Sequence, residues 1–324
     1  MKLEKSLLTV IVPIYNVRKY LKRCLSSLIV INNQVNYILV DDGSTDGSDL
    51  IAKKWCDSYE NIYYIRQKNG GLSSARNTGL KYTKSKWVYF ADSDDYVTKG
   101  FINKMIEILK QAGTNEFFSL PVLKKMGNKE KILQNGIGKI TRDDFILKLI
   151  RGERQFGVWS YIFNVKVLKD NNLIFEKGKL FEDQYFLPSY LKFVKNIQKV
   201  SNKQIGFYNY CVRKNSISNS NLNEQIISSK CTAELYRDHF LKEISKSKEV
   251  KDEVSQNQIT VLFRAYIDSL KINDIGNASK YKERVAFLVS RNDLGRLTIK
   301  HYLKVIMLSM PQKLLVMLTK MLNR

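Results

Sequence analysis

The chain has few cysteines and histidines, the residues that form disulfides in small secreted domains and that bind metals such as zinc. Its 324 residues include only four cysteines and two histidines, namely Cys24, Cys56, Cys211, Cys231, His239 and His301. None of the cysteines forms a Cys-x-x-Cys pair, and all lie far apart. We therefore expect neither a structural zinc site nor a disulfide framework, and we expect a reducing compartment.

Long apolar runs are also missing. No window of 18 consecutive apolar residues occurs, so the sequence predicts no transmembrane helix. The N-terminus, "MKLEKSLLTVIVPIYN", carries charge early and runs directly into a predicted strand, unlike a signal peptide. We expect a cytoplasmic protein.

Acidic residues are scarce relative to basic ones. The chain has 54 Lys and Arg against 31 Asp and Glu, a formal net charge of +23. Basic surfaces meet nucleic acid, anionic membranes or phosphate-rich substrates. Because no zinc finger, RNA-recognition motif or helix-turn-helix accompanies the charge, we expect no nucleic-acid partner.

What the first hundred residues do contain is a regular alternation of strands and helices. Apolar, β-branched runs such as "LLTVIVPIYN" and "NYILVDDGS" read as buried strands, and amphipathic segments such as "VRKYLKRCLSSLI" separate them. This alternation predicts an α/β fold with a mostly parallel central sheet and helices on both faces. The segment "TRDDFILKLIRG" predicts a capped helix in the following region.

The ends of the four predicted strands are polar. They comprise residues 13–16, 41–44, 69–71 and 92–95. Ligands of parallel sheets bind at the carboxyl ends of the strands. We therefore expect one binding site that all four segments share.

The densest group of acids ends the run "WVYFADSDD". Asp92 and Asp94 can face one cavity once the strand has turned into a loop, and such a pair is costly without a cation. Hard oxygen ligands favour Mg²⁺ or Mn²⁺, which could hold a nucleotide diphosphate. The alternative is helix capping, to which Asp95 in particular is suited.

Other polar residues near these strand ends allow two interpretations each. Asp42 could accept a hydrogen bond from a base or a ribose hydroxyl, or it could form a local Asx turn. Arg76 could reach phosphate or pair with a nearby acid. Trp159 could form a sugar platform or belong to the core, whereas Phe175 is assigned to the core.

Taken in order, "VIVPIYNVRKYLKRCLSSL", "ILVDDGSTDGS", "NGGLSSARNTGL" and "VYFADSDDYV" resemble a family 2 glycosyltransferase of the GT-A fold, which is Rossmann-like. The segments "FEDQYF" and "YNYCVRKNSIS" resemble two further motifs of that family, so the resemblance covers about residues 1–220. It implies a GT-A catalytic domain over 1–222, with a nucleotide-binding half over 1–100 and an acceptor half over 101–222.

The resemblance implies roles for individual residues. Asp183 matches the general base, with Glu182 and Trp159 on the acceptor side, although Glu182 and Asp183 could also simply cap a helix. Asp92 and Asp94 match the DXD motif, which holds a Mn or Mg divalent cation. The implied donor-binding residues are Pro13, Tyr15, Asn16, Asp42, Arg76, Asp92, Ser93, Arg213 and Ser216.

The last hundred residues, 223–324, predict a helical region. Its final stretch, 297–324, is mostly apolar and basic without an acidic residue, and it is interrupted near Pro311. Lys300 and Lys304 share one helical face. This pattern favours association with an anionic membrane surface, the alternatives being packing on the enzyme or on a second subunit as a homodimer.

The resemblance, together with the basic C-terminal stretch, thus implies an inverting, metal-dependent hexosyltransferase-type enzyme, peripheral on the inner face of a bacterial cell membrane. It would move a sugar from a nucleotide diphosphate sugar, such as a UDP-sugar, to a lipid-linked saccharide acceptor in capsular or extracellular polysaccharide biosynthesis. The alternatives are a teichoic acid or protein glycosyltransferase, a processive synthase, and a basic binding protein that uses a degenerate GT-A fold.

Overall fold

A computed structural model describes most of the chain as two units. The described residues are 6–113, 116–213, 222–291, 298–315 and 317. The chain divides into compact units over 1–219 and 220–324. Each unit has its own cluster of buried hydrophobic side chains.

The N-terminal unit begins with the alternation that the sequence predicts. Its first elements are β1 (Leu8–Ile14), α1 (Arg18–Leu28), β2 (Val35–Asp41), α2 (Ser48–Ser58), β3 (Ile62–Arg66), α3 (Leu72–Tyr82) and β4 (Trp87–Phe90). Strands β1, β2 and β4 are buried along their whole length. Continuous burial is typical of parallel strands that are covered on both faces, which explains their unbroken apolar sequences.

The second part of this unit is more irregular. Its elements are β5 (Tyr96–Val97), α4 (Phe101–Lys110), β6 (Phe118–Ser119), β7 (Val122–Met126), β8 (Lys129–Gln134), β9 (Gly138–Thr141), α5 (Arg142–Ile150), β10 (Tyr161–Asn164), α6 (Val165–Asp170), α7 (Asp183–Leu191), β11 (Asn196–Lys199), α8 (Asn202–Ile205) and β12 (Tyr208–Cys211). A short 3₁₀ helix, Val158–Ser160, precedes β10. The predicted capped helix is α5, whose Thr141 side chain accepts from the backbone N–H of Asp144.

Eight strands form the central sheet in the order β3-β2-β1-β4-β10-β6-β11-β9. The first four are parallel: Leu8 pairs with Val35 on one side and with Trp87 on the other. Strand β10 is antiparallel to both β4 and β6, and β9 is antiparallel to β11. The sheet is therefore parallel among β1, β2, β3 and β4, as predicted, and mixed beyond β4.

A smaller sheet has the order β5-β12-β7-β8. Strand β5 comes directly after the acidic segment 92–95, and β12 comes directly before Arg213. The pairing of Tyr208 with Val97 and of Asn209 with Tyr96 joins the two. This sheet thus brings the end of the predicted catalytic domain back to the acids.

Helix α3 packs unusually closely on β1 at Gly79. A Cβ atom at this position would lie 2.5 Å from the Cγ2 atom of Ile11, which is closer than nonbonded carbons approach. Gly79 is three residues after Arg76, so both residues lie on the same side of the helix. The glycine thereby determines how closely Arg76 approaches the central sheet.

The C-terminal unit is helical in its described part, as the sequence predicts. Its helices are α9 (Glu224–Ile244), α10 (Lys248–Lys271), α11 (Ile275–Arg291) and α12 (Ile299–Met307). Asn223 and Ser247 cap the first two of these helices through their side chains. Helix α12 ends before Pro311, where the sequence predicts a break, and none of the described helices is long and apolar enough to cross a membrane.

We predict that Gly79→Ala destabilises the N-terminal unit. The added methyl group overlaps Ile11, and overpacking of this kind costs about 1–3 kcal/mol. Gly113→Ala is a matched control, because a Cβ there would have nothing nearer than the Glu116 side chain at 4.0 Å. Urea unfolding of both variants measures the difference, and equal midpoints for the two would contradict the prediction.

Candidate active site

The loops after β1 and β2 are hydrogen-bonded to each other. The backbone N–H of Asn16 donates to the Ser44 hydroxyl at 3.1 Å, and the Asn16 side chain accepts from the N–H of Thr45 at 2.9 Å. Asn16 has a positive φ of 50°, which asparagine tolerates better than most residues. The side chain of the neighbouring Tyr15 is 49% exposed, so it can contact a ligand.

Asp42 is buried and organises the glycine loop after β3. Its carboxylate accepts from the side-chain amide of Gln67 at 2.6 Å and from the backbone N–H groups of Gly70 and Gly71 at 2.9 and 2.8 Å. The local turn that the sequence allows for Asp42 is formed instead by Asp41, which accepts from the N–H of Ser44. Asp42 therefore connects two of the four predicted strand ends.

Arg76 lies at the centre of the site and is only 1% exposed. It donates to Glu182 at 2.5 Å, to Asp183 at 3.0 Å and to Asp92 at 2.9 Å. Burial alone would lower the pKa of Arg76, but the three carboxylates raise it, so the side chain stays charged. Of the two interpretations that the sequence allows, the structure shows pairing with acids.

Asp92, Asp94 and Asp95 form a compact acidic triad. One carboxylate oxygen from each lies within 4.8 Å of the others. Burial and the neighbouring Asp92 raise the pKa of Asp94, while burial and the other two acids raise the pKa of Asp95. Ser93, between the first two acids, is buried.

The members of the triad have different partners. Asp95 accepts from the Tyr208 hydroxyl at 2.5 Å and from the backbone N–H of Cys211 at 2.7 Å, so it holds β12 rather than capping a helix. Asp92 pairs with Arg76, and Asp94 pairs with Arg213. Asp92 and Asp94 therefore remain the two acids that are suited to a ligand.

The donor set fits a hard divalent cation. It consists of carboxylate oxygens, which Mg²⁺ and Mn²⁺ prefer, and its mutual repulsion is the kind that a cation relieves. Asp92 and Asp94 would hold the ion, and coordination sites left open would accept phosphate oxygens.

Asp183 is the first residue of α7, and both of its carboxylate oxygens are engaged. One accepts from Arg76, and the other accepts from the backbone N–H of Val158 at 3.3 Å. Burial raises the pKa of Asp183 to about 8, against the lowering effect of Arg76 and with a further increase from Glu182 and Asp92. The side chain is still 18% exposed, so a substrate can reach it.

The segment before α7 has a strained backbone. Phe181 has a φ of 61°, in the left-handed region that a bulky residue seldom adopts. It directly precedes Glu182 and Asp183, so this turn determines how the two acids enter the site. The sequence offers no glycine or asparagine at position 181 that would have indicated such a turn.

Trp159 is 8% exposed and stacks on two tyrosines. The ring centroids are 4.9 Å from Tyr208 and 5.2 Å from Tyr210, with nearly parallel planes. Phe175 is fully buried and stacks on Phe186, which confirms its assignment to the core. An acceptor role for Trp159 remains a prediction, while its stacked ring is part of the core beside Val158.

Two further side chains near the acids, Arg23 and Tyr20, carry no distinct sequence signal. Arg23 donates to the backbone carbonyl of Asp94 at 2.8 Å and lies over the ring of Tyr96. Arg213 lies over the ring of Tyr20, with its guanidinium carbon 5.0 Å from the centroid. Arg23 and Tyr20 read as ordinary positions of an amphipathic helix, and Ser216 lies outside the described residues.

Comparison with known proteins agrees with this architecture. Residues 9–166 match the sequence model of the family described as Glycosyl transferase family 2. The chain is 31% identical over 224 residues to glycosyltransferase GlyA of Streptococcus pneumoniae serotype 4, covering 65% of this chain and 31% of GlyA. It is 39% identical over 107 residues to the minor teichoic acid biosynthesis protein GgaB of Bacillus subtilis, covering 32% of this chain and 12% of GgaB.

A solved structure gives the same fold. The crystal structure of S. aureus TarS 1-349 in complex with UDP-GlcNAc superimposes with a TM-score of 0.61 at 20% identity, covering 85% of this chain and 90% of that one. Residues 9–166 belong to glycosyltransferase family 2, and the N-terminal unit has the predicted GT-A fold. The chain spans less than a third of the length of GlyA and GgaB.

We predict that Asp183→Asn stabilises the protein in metal-free buffer at neutral pH. The folded-state pKa of about 8 exceeds the unfolded value near 3.8, so the folded state binds more protons between these values. The contribution of Asp183 to stability therefore falls as pH rises through this window. Asparagine removes the ionisation, while Asp92 and Glu182 still neutralise Arg76.

The measurement is the melting temperature from pH 5 to pH 8.5 in the presence of a chelator. We expect the difference between Asp183→Asn and wild type to grow with pH. Glu60→Gln, at an exposed position, is the control for removal of one surface charge. A difference that stays constant or shrinks with pH would show that burial does not disfavour the ionised form of Asp183.

Proposed function

We propose that this protein is an inverting glycosyltransferase that moves a sugar from a nucleotide diphosphate sugar, in particular a UDP-sugar, to an acceptor hydroxyl. The observation that carries the proposal is the cluster around Arg76. In this cluster a carboxylate suited to a cation, Asp92, and a carboxylate suited to proton transfer, Asp183, contact the same guanidinium. Arg76 and Asp92 lie within residues 9–166, which match family 2, and Asp92 follows the carboxyl end of β4.

The donor side would comprise the loops after β1, β2 and β3. Tyr15 presents an exposed ring, and Asp42 holds the glycine loop whose backbone can approach a ligand closely. Asp92 and Asp94 would hold Mn²⁺ or Mg²⁺, which supplies positive charge for the departing diphosphate. Pro13 lies at the end of β1, paired with Val40 of β2, so it lines the same edge.

The acceptor side would centre on Asp183. Inversion needs a base that takes the proton of the attacking hydroxyl on the side opposite the departing phosphate. With a pKa of about 8, Asp183 holds that proton more strongly than an ordinary aspartate. Arg76 and the N–H of Val158 fix the direction in which the carboxylate points. Activity should accordingly fall as pH decreases below about 8.

We predict that Asp94→Ala and Asp183→Asn impair different steps. Asp94→Ala should abolish metal-dependent donor binding, because a ligand of the cation is lost. Asp183→Asn should retain donor binding and lower turnover by about 10²- to 10⁴-fold, the typical contribution of a general base. Calorimetry with a panel of nucleotide sugars measures binding, and release of the nucleoside diphosphate measures turnover.

Asp170→Asn, at an exposed ion pair on α6, is the matched control and should behave as wild type in both assays. The proposal fails if no nucleotide sugar binds with Mn²⁺ or Mg²⁺, or if Asp183→Asn keeps full turnover. RNA binding without nucleotide-sugar binding would support the alternative of a basic binding protein on a degenerate fold.

For the acceptor we propose a lipid-linked saccharide of capsular or extracellular polysaccharide synthesis. A teichoic acid acceptor is the second candidate, favoured by the similarity to GgaB and by a basic strand pair. Lys124 and Lys131 lie directly opposite each other on β7 and β8, and Lys124 also pairs with Tyr210 of β12. Like charges in this arrangement are unfavourable by themselves, and a phosphate would relieve them.

The C-terminal unit supports a membrane location. On α12, Tyr302, Leu303 and Ile306 are each about half exposed and lie close together on the helix surface. Lys304 instead donates to Thr260 of α10 at 2.6 Å, so its side chain points toward α10. The surrounding segment carries no acid, which is compatible with anionic lipid.

We predict that the full chain sediments with vesicles that contain anionic lipid, and less with neutral vesicles, because anionic lipid attracts basic segments. Replacing Tyr302, Leu303 and Ile306 with serine should release it, because the apolar contact is lost. The control is Ile31→Ser, an exposed apolar residue in the N-terminal unit. A homodimer that the same triple variant dissociates, without vesicle binding by wild type, would point to subunit packing instead.

A further inference from the structure

The Asp94 carboxylate is paired with a cation that the chain itself supplies. The guanidinium of Arg213 contacts Asp94 through its Nη2 atom. The side chains of Arg213 and Asp94 are 29% and 16% exposed, so the pair is shielded from bulk solvent but not sealed. This contact occupies one of the two carboxylates that the site offers to a divalent cation.

Arg213 is held in this place from two directions. It follows β12, and Asp95 fastens that strand to the acidic triad through the Tyr208 hydroxyl and the Cys211 N–H. From the other side, the ring of Tyr20 lies 5.0 Å from the guanidinium carbon, a cation–π distance. The pairing with Asp94 is therefore part of a built arrangement and not a loose surface contact.

The neighbouring arginine has a different relation to the same residue. Arg23 donates to the backbone carbonyl of Asp94 and not to its carboxylate. It also contacts the Cys211 sulfur. Arg23 can therefore stay in place when the Asp94 carboxylate changes partner, whereas Arg213 cannot.

A divalent cation and Arg213 compete for Asp94. Both are positively charged, and both need the same carboxylate group. We propose that Arg213 is a positioning residue that occupies Asp94 in the free enzyme and moves to the diphosphate of the donor when the cation binds. The movement of Arg213 to the diphosphate rests on the proposed function, while its competition with a cation for Asp94 rests on the ion pair alone.

The exchange makes cation and nucleotide binding cooperative. A cation that binds alone must displace Arg213 without offering it a new anionic partner. A nucleoside diphosphate supplies that partner, so each ligand strengthens the binding of the other by the same factor. Removal of the guanidinium should therefore strengthen the binding of the cation alone and weaken the coupling. An arginine that only binds the donor would leave the binding of the cation alone unchanged.

The experiment measures Mn²⁺ binding to the full chain by electron paramagnetic resonance of the free ion, with and without UDP. We expect Arg213→Gln to bind Mn²⁺ alone several-fold more tightly than wild type. UDP should tighten Mn²⁺ binding to wild type by about 5- to 150-fold, the usual range of coupling between sites. The same addition should have little effect on Arg213→Gln.

The matched control is Arg66→Gln. Arg66 also forms ion pairs with acids of the N-terminal unit, Asp41 and Asp49, so its loss removes the same charge away from the triad. It should bind Mn²⁺ as wild type does. Arg213→Lys, which keeps the charge, should lie between wild type and Arg213→Gln, and thermal melting of each variant verifies that it is folded.

The proposed exchange is contradicted if folded Arg213→Gln binds Mn²⁺ alone as weakly as wild type or more weakly. It is also contradicted if neither protein binds Mn²⁺. Tighter Mn²⁺ binding by Arg213→Gln supports it, including the case in which wild type shows no binding. If UDP fails to bind any variant, the donor proposal fails, while the comparison of Mn²⁺ alone still decides whether Arg213 competes for Asp94.

Discussion

A buried guanidinium is the constraint on which the site depends. Arg76 is almost completely removed from solvent, and an unpaired charge there would cost several kcal/mol. Three carboxylates, one that follows β4 and two at the start of α7, compensate for it. Because three acids surround one base, the cluster keeps an excess of negative charge. Burial, together with the neighbouring acids, raises the pKa of Asp183, and the excess of negative charge makes the acidic edge receptive to a cation.

The same guanidinium links two carboxylates that are distant in the chain. Asp92 and Asp183, for which we propose roles on the donor and acceptor sides, are both oriented by Arg76. A change in the charge of Asp92 therefore affects the pKa of Asp183. The close contact of α3 with β1 at Gly79 fixes the position of the helix that carries Arg76. In the proposed function, leaving-group stabilisation and base orientation would thus depend on a single cluster.

Much of the fold could be predicted from the sequence because it depends on local patterns. The runs at 8–14 and 35–41 are apolar throughout, and only strands covered on both faces need that. The sequence also placed the acids after β4 at the correct edge of the sheet. The insertion of β10 against β4 could not be predicted, because antiparallel pairing across this distance leaves no periodic signal.

The site was predictable in its residue types but not in its contacts. Arg76 was open to phosphate or acid, and two of its three acidic partners, Glu182 and Asp183, lie more than 100 residues later in the chain. Asp41 and Asp42 are adjacent and identical, so the sequence could not show that Asp41 forms the turn while Asp42 holds the glycine loop. The residue type at position 181 also gives no indication of the backbone strain at Phe181.

The attachment of Asp95 to β12 has a consequence for how the acidic segment can evolve. Its carboxylate closes a contact between parts of the chain that are more than 110 residues apart, so it belongs to the fold as much as to the site. A descendant of this protein that lost catalysis would be free to drift at Asp94. It would still be under selection to keep Asp95, because β12 of the small sheet would otherwise lose its hydrogen bonds to the acidic segment. The first sign of a relative that has become a binding protein would thus be an acidic segment that has lost its second aspartate and kept its third.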